Sequence, residues 1–488
     1  MLNAFKLLRP TTVAEASSEL SRLGDGAKLY AGGAELVLLM RNGMVHLDYL
    51  INIKGIDDLH RIDWNGSVLK IGACATHHRL ERDPLVRRYL PAFAYAESQV
   101  ANVRVRAQGT LGGNLCFSDP HSDAGAALLI YEPKVNVTSG KGSRQMTLEE
   151  FLVGMYVTAL EPDELLADVQ VSPLPPEWTS AYLRVHRFQR PTLGVAAAAR
   201  IKNHRIEETR LAAGCVSPRP ERLRDLESAL RGASIADSQR IIRDKRSYLR
   251  DLLEPVDDLL GSADYKLYMT QVLLGRALEQ AASTKDERSE TDCLKPEPSV
   301  LRQAQHERSA FRSRPVTLSL SKGDDGGIQD RGAENFQLAL TVNGQEWQGE
   351  VPVEETLLDF LRTRRQLTGT KRSCESQVCG ACTVLVDSLP VSSCSYLAFE
   401  AHEKSVTTVE GLAVGERLDP LQQGFVRNLG AQCGYCTPGQ LMAAKALLLE
   451  NPSPSREEIA EWLRGNICRC GCYPGIEASV LEASGQKG

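Results

Sequence analysis

At 488 residues the chain is too long for one ordinary domain and leads us to expect three or four. With 42% hydrophobic and 24% charged residues it has the composition of a globular protein, and a net charge of -5 without a basic block gives no footing for nucleic acid. No apolar run reaches the ~18 residues of a membrane span, and MLNAFKLLRP lacks a secretory apolar core, so the expected address is the cytoplasm.

Thr12-Val13-Ala14-Glu15 reads as a capping box and opens a helix that stops near Gly24. A short strand, AKLY, follows, then the pair Gly32-Gly33 and the apolar LVLLM. VLKIG at 68–72 is strand-like, and GTLGGN occupies 109–114 before the apolar AGAALLI. Neither glycine segment matches G-x-G-x-x-G or a P-loop, and each alone is more simply a turn. What such glycines can do is let backbone N–H groups approach a pyrophosphate. A second α/β section runs from Ala181 to Gly232 and is closed by the helix-like YKLYMTQVLLGRALEQA. Residues 284–335 are polar, charged and aperiodic, and read as a flexible linker. After it, FQLALTVNGQEWQGEVPV predicts two strands joined at Asn343-Gly344, and EETLLDFLRTR a helix.

In the cytoplasm, 13 cysteines are better metal ligands or buried thiols than disulfides. Cys74, Cys116, Cys215 and Cys293 are scattered and read as core filler. The other nine lie between Cys374 and Cys472. Cys374, Cys379, Cys382 and Cys394 form C-x4-C-x2-C-x11-C, whose first spacings are those of plant-type [2Fe–2S] sites. Three ligands on one loop argue against structural zinc, whose cysteines pair C-x2-4-C on each side. Gly380 and Ala381 are small enough for the backbone to pass close to inorganic sulfide. Cys433, Cys436, Cys468 and Cys470 form C-x2-C and, much later, C-x-C. Between them, Thr437 to Gln440 reads as a capping box starting a helix to about Glu450. Ser455 to Glu458 reads as a second box, with its helix stopping at Gly465. Two helices folding back on each other bring the cysteine pairs together. That site suits a second cluster, and taken alone it suits zinc almost as well.

TGTKRSCESQVCGACTVLVD, QCGYCTPGQLM and GNICRCGCYPGI together resemble the iron–sulfur subunit of the xanthine oxidase (molybdenum hydroxylase) family, over 336–476. The resemblance implies a β-grasp [2Fe-2S] ferredoxin domain at 336–412 and a four-helix [2Fe-2S] domain at 413–488, each holding one cysteine quartet. Gln432 matches the family glutamine that lies beside the molybdopterin of a separate large subunit. Ser373 and Gln377 stand where the family usually has glycines, and Gly471-Cys472 where it has Thr-Gly.

LYAGGAELVLLMRNGM, IGACATHHRLERDP, GTLGGNLCFSDPHSDAGAALL and RFQRPTLGVAAA resemble the FAD subunit of the same family. They imply an α+β chain with a vanillyl-alcohol-oxidase-type FAD domain at 1–175 and a small α/β domain at 176–283. By the same resemblance Ala31, Gly32, Gly33, Ala34, Glu35 and Leu36 wrap the FAD pyrophosphate. Thr110, Gly112, Gly113 and Asn114 form a second phosphate turn, and Asp123 binds ribityl hydroxyls. Ala34 and Glu35 depart from the family, and a carboxylate beside a diphosphate repels it unless it points away.

The implied function is that of a fused FAD and iron–sulfur electron-transfer component, similar to aerobic carbon monoxide dehydrogenase-type subunits. Electrons from molybdopterin on a partner chain pass to the helical cluster, the ferredoxin-like cluster and then FAD. The implied assembly is a dimer of heterodimers, and no catalytic acid or base is assigned to this chain. A stand-alone iron–sulfur flavoprotein reductase and a zinc scaffold are the other readings open at this point.

Overall fold

In the computed structural model, residues 2–186, 190–287 and 332–486 are described. Thr12 caps the helix Val13–Leu23 by accepting from the Glu15 amide, and Gly24 ends it at φ 57°. This helix crosses between the strands Lys6–Leu8 and Ala27–Tyr30, which flank Tyr49–Asn52 in a parallel three-stranded sheet. A five-stranded antiparallel sheet follows, in the order Ile62–Trp64, Leu69–Gly72, Leu165–Val171, Lys134–Ser139, Gly142–Thr147. Short helices between His77 and Leu129 cover it.

The third sheet, Trp178–His186, Pro191–Lys202, Arg205–Gly214 and Glu221–Arg222, is antiparallel and buried on both faces. Its central strand shows the period-2 rule. Ala196 and Ala198 enter the core of the preceding sheet, while Leu193, Val195, Ala197 and Ala199 enter a second core beneath the helix Ala263–Glu287. That helix extends through Glu287, into the stretch read as linker; the remainder of that stretch up to residue 331 lies outside the described residues.

The chain is described again from Gly332, and Ala333, still within the stretch read as linker, bridges Leu7 in both directions (2.8 and 3.1 Å). The expected hairpin is present: Asn335–Val342 pairs with Gln345–Pro352, and Asn343 and Gly344 both take positive φ, as a tight two-residue turn requires. The predicted helix after it is one α turn, Leu357–Asp359, continued by a π turn, Phe360–Arg364. The completed sheet runs Gln345–Pro352, Asn335–Val342, Ser405–Thr407, Thr383–Val386, Leu389–Ser392. Four helices follow, Pro420–Arg427, Thr437–Glu450, Arg456–Leu463 and Tyr473–Ala483, around a core that includes Phe425, Met442, Leu447, Trp462 and Val480.

The Ser455 capping box is formed in full with Glu458. The one expected at Thr437 is not: Cys436 takes the cap position without a side-chain bond, and Gln440 donates instead to the Asn466 carbonyl at 2.7 Å. A tertiary acceptor has outcompeted the local one.

The two halves share cores. Leu2, Tyr30 and Val37 pack with Val353, Leu397 and Phe399, and Val103 joins the four-helix core. Among the described residues no helix is long and apolar enough to cross a membrane.

Candidate functional site

The glycine turns meet. A Cβ on Gly32 would lie 2.3 Å from the Gln108 carbonyl, so Gly32 passes the backbone of Gln108 and Gly109 closer than any side chain allows. They differ in what they offer a ligand. In the second turn the amides are already used: Leu111 donates to Ala75, Gly112 to Ala73, and Gly113 to the Thr110 hydroxyl (2.9, 2.8 and 3.1 Å). Asn114 accepts from the Ser122 hydroxyl at 2.6 Å. In the first turn, the amides of Gly32, Gly33, Ala34, Glu35 and Leu36 have no acceptor among the described residues. A run of free amides where the chain turns is a fitting cradle for a pyrophosphate.

Glu35 points toward positive charge, lying 3.6 Å from Arg190, which also pairs with Asp119 at 3.0 Å. Burial raises its carboxyl, with Arg190 opposing. Asp123 is 3% exposed; it accepts from the Tyr182 hydroxyl and pairs with Arg184, both at 2.6 Å. A carboxylate with about four lone-pair sites keeps capacity beyond those two contacts.

The first cysteine quartet arrives in pairs. Cys379 donates to Cys374, and this bond pulls the Cys374 thiol down to about 4 against burial, helped by the amides of Ser376 and Cys379 at 3.4 and 3.3 Å. Cys382 donates to Cys394 and lowers it, and both are buried beside Leu358. In the second quartet Cys433 faces Cys470, while Cys468 is shared between Cys436 and Cys472. Among the described residues no three His, Cys, Asp or Glu side chains converge on a single-ion site. Four cysteines gathered in this way would suit a two-iron cluster held by four thiolates. Cys472 is a fifth thiol here, its amide 3.5 Å from the Cys468 sulfur. Cys433, Cys470 and Gln432 are exposed.

The two quartets are joined directly. The Ile467 amide donates to the Cys379 carbonyl at 2.9 Å, and Asn466 donates to the carbonyls of Gly380 and Gly439 at 3.2 and 2.9 Å. The first quartet also touches the first glycine turn, since Gln377 donates to the Ala34 carbonyl at 2.8 Å and Arg41 lies 3.3 Å from Glu375. Gln377 takes φ +61°, the region that favours the glycine the family usually places there.

Sequence reasoning missed the groups that tie these parts together. Lys54 donates to the Ala31 carbonyl at 2.7 Å, lies over the Tyr30 ring and reaches Glu400 at 3.5 Å. Arg104, on the helix Val103–Gln108, is buried completely and crosses into the C-terminal half. In sequence both look like solvated surface charges, and only the fold shows otherwise. The early cysteines Cys74, Cys116 and Cys215 lie within the flavin half, where burial raises all three thiols; Cys293 is outside the described residues.

Known proteins carry the same parts. Four family models match in chain order: "FAD binding domain in molybdopterin dehydrogenase" at 3–175, "CO dehydrogenase flavoprotein C-terminal domain" at 182–281, "2Fe-2S iron-sulfur cluster binding domain" at 340–409 and "[2Fe-2S] binding domain" at 408–481. The nicotine 6-hydroxylase small subunit of Paenarthrobacter nicotinovorans is 47% identical over 156 residues, 32% of this chain and 94% of that protein. The carbon monoxide dehydrogenase medium chain of Hydrogenophaga pseudoflava is 30% identical over 279 residues, 57% of this chain and 96% of that one. The chain belongs to the molybdenum hydroxylase family. A solved carbon monoxide dehydrogenase from H. pseudoflava superposes with a TM-score of 0.56 at 30% identity, over 58% of this chain and 99% of its own. This molybdenum hydroxylase member is an oxidoreductase that joins FAD-binding and [2Fe–2S] domains in one multidomain α+β chain, flavin part first.

Proposed function

We propose that the chain is the electron-transfer component of a molybdenum hydroxylase, taking electrons from a molybdopterin-binding large subunit and delivering them to an external acceptor. When bound, each [2Fe–2S] cluster carries one electron at a time, and FAD collects two and releases them as a pair. The residues proposed to hold the clusters are Cys374, Cys379, Cys382 and Cys394, in a β-grasp domain, and Cys433, Cys436, Cys468 and Cys470, in the four-helix domain. The amides of 32–36 hold the pyrophosphate, the turn from Thr110 to Asn114 buttresses them, and Asp123 takes ribityl hydroxyls.

The observation that carries this reading is the unbroken contact from flavin turn to first quartet to second quartet, through Gln377–Ala34 and Ile467–Cys379. The far end of that line is open. Cys433, Cys470 and Gln432 lie at the surface, and their near neighbours in the chain, Tyr435, Ile467 and Tyr473, are exposed as well. Such a patch suits the large subunit.

The test is to express the chain with its genomic neighbours and measure FAD, iron, labile sulfide and molybdenum in the purified complex. One FAD and four irons per chain, with a co-purifying molybdenum subunit, is the expected result. The same cofactors without a partner would make it a stand-alone reductase, and zinc in place of iron would end both enzyme readings.

A further inference from the structure

Arg104 is the largest side chain among those fully buried, and it leaves the flavin half to do so. Its Nε donates to the Ser392 hydroxyl at 3.1 Å, one Nη to the Asn466 side-chain oxygen, and the other to the carbonyls of Gly465, Gln377 and Val378 (2.8, 3.4 and 3.4 Å). These partners frame the first quartet. Gln377 and Val378 lie on the loop between Cys374 and Cys379, Ser392 is two residues before Cys394, and Asn466 holds the carbonyl of Gly380.

All five partners are neutral, and among the described residues no carboxylate pairs with Arg104. A buried cation needs a counter-charge, because desolvation costs several kcal/mol, on the order set by ion burial. Its hydrogen bonds end on the segments that carry Cys374, Cys379 and Cys394, so the thiolates proposed to hold the first cluster are the negative groups available to it. The counter-charge is therefore the thiolate site itself.

We infer that Arg104 is a positioning residue by which the flavin half sets the reduction potential of the first cluster. The inference rests on the proposed ligation by that quartet. Accepting one electron makes the site one unit more negative, with no bond formed or broken. A fixed cation in a low-dielectric pocket favours that more negative state.

The test uses the full chain, as wild type and as R104M, R104Q and R104K, with FAD, iron and labile sulfide measured first. Two irons instead of four in the wild type, with the first-cluster signal missing, would defeat the ligation reading and the inference with it. With both clusters loaded, EPR-monitored titration against dithionite reads each separately. The expected result is a more negative midpoint for the first cluster in R104M and R104Q, a smaller shift in R104K, and a smaller change in the second cluster than in the first. Should R104M not fold, R104Q carries the same comparison. Equal midpoints across all four proteins, or loss of the first cluster from all three variants, would overturn the inference and leave Arg104 a shape-keeping residue only.

Discussion

The two cysteine quartets are built from the same atoms and differ in how far they are enclosed, the first exposing Cys374 alone and the second both Cys433 and Cys470. In the first, Cys382 and Cys394 are 4% and 1% exposed, and the flavin half contributes a buried arginine to its frame. In the second, Cys433 and Cys470 lie at the surface near exposed Tyr435, and Cys468 is buried. A site enclosed by the chain's own two halves is suited to passing electrons within the chain. A site left open at one end is suited to receiving them from elsewhere.

That contrast is most directly broken at the cysteines. We expect C394S to lose two irons per chain and destabilise the fold by ~3 kcal/mol, since a buried core position loses its metal as well. C433S should lose the other two irons at a cost of only ~1 kcal/mol, because its surroundings are solvent. Iron analysis and urea unfolding measure both; equal destabilisation would remove the distinction between a closed and an open site.

A smaller effect is expected where the quartets join. A Cβ on Gly439 would lie 2.1 Å from the Gly380 carbonyl, so G439A must push the two cysteine loops apart. The expected cost is ~2 kcal/mol, the usual scale of overpacking. In urea melts, a midpoint equal to that of the wild type would show the junction to be looser than its geometry.

The smallest effect concerns the flavin side. Burial lowers Lys54 to about 8, with Glu400 opposing. Between about pH 8 and 10.5 the unfolded chain then holds more protons at this residue than the folded one, so its contribution to stability rises with pH across that window. K54M should flatten the slope of Tm against pH there, and an unaltered slope would place the titration elsewhere.

How much was legible beforehand follows from how local each signal is. The Ser455 box formed as read because its donors and acceptors lie within one exposed turn. The box at Thr437 did not, because Gln440 found the carbonyl of Asn466 across the helical hairpin. Gln377 read only as a departure from glycine, and its contact with Ala34 spans 343 positions of chain.

The cysteine spacings, the hairpin turn at Asn343-Gly344 and the glycine-rich segments could be read from the residues alone, since each depends on positions a few places apart. Tertiary structure alone decided which glycine turn keeps its amides free, which thiols meet, and that Arg104 is buried against the first quartet. The reason is physical: spacing fixes what a short segment can ligate, whereas burial and charge pairing depend on which distant segments the fold brings into contact.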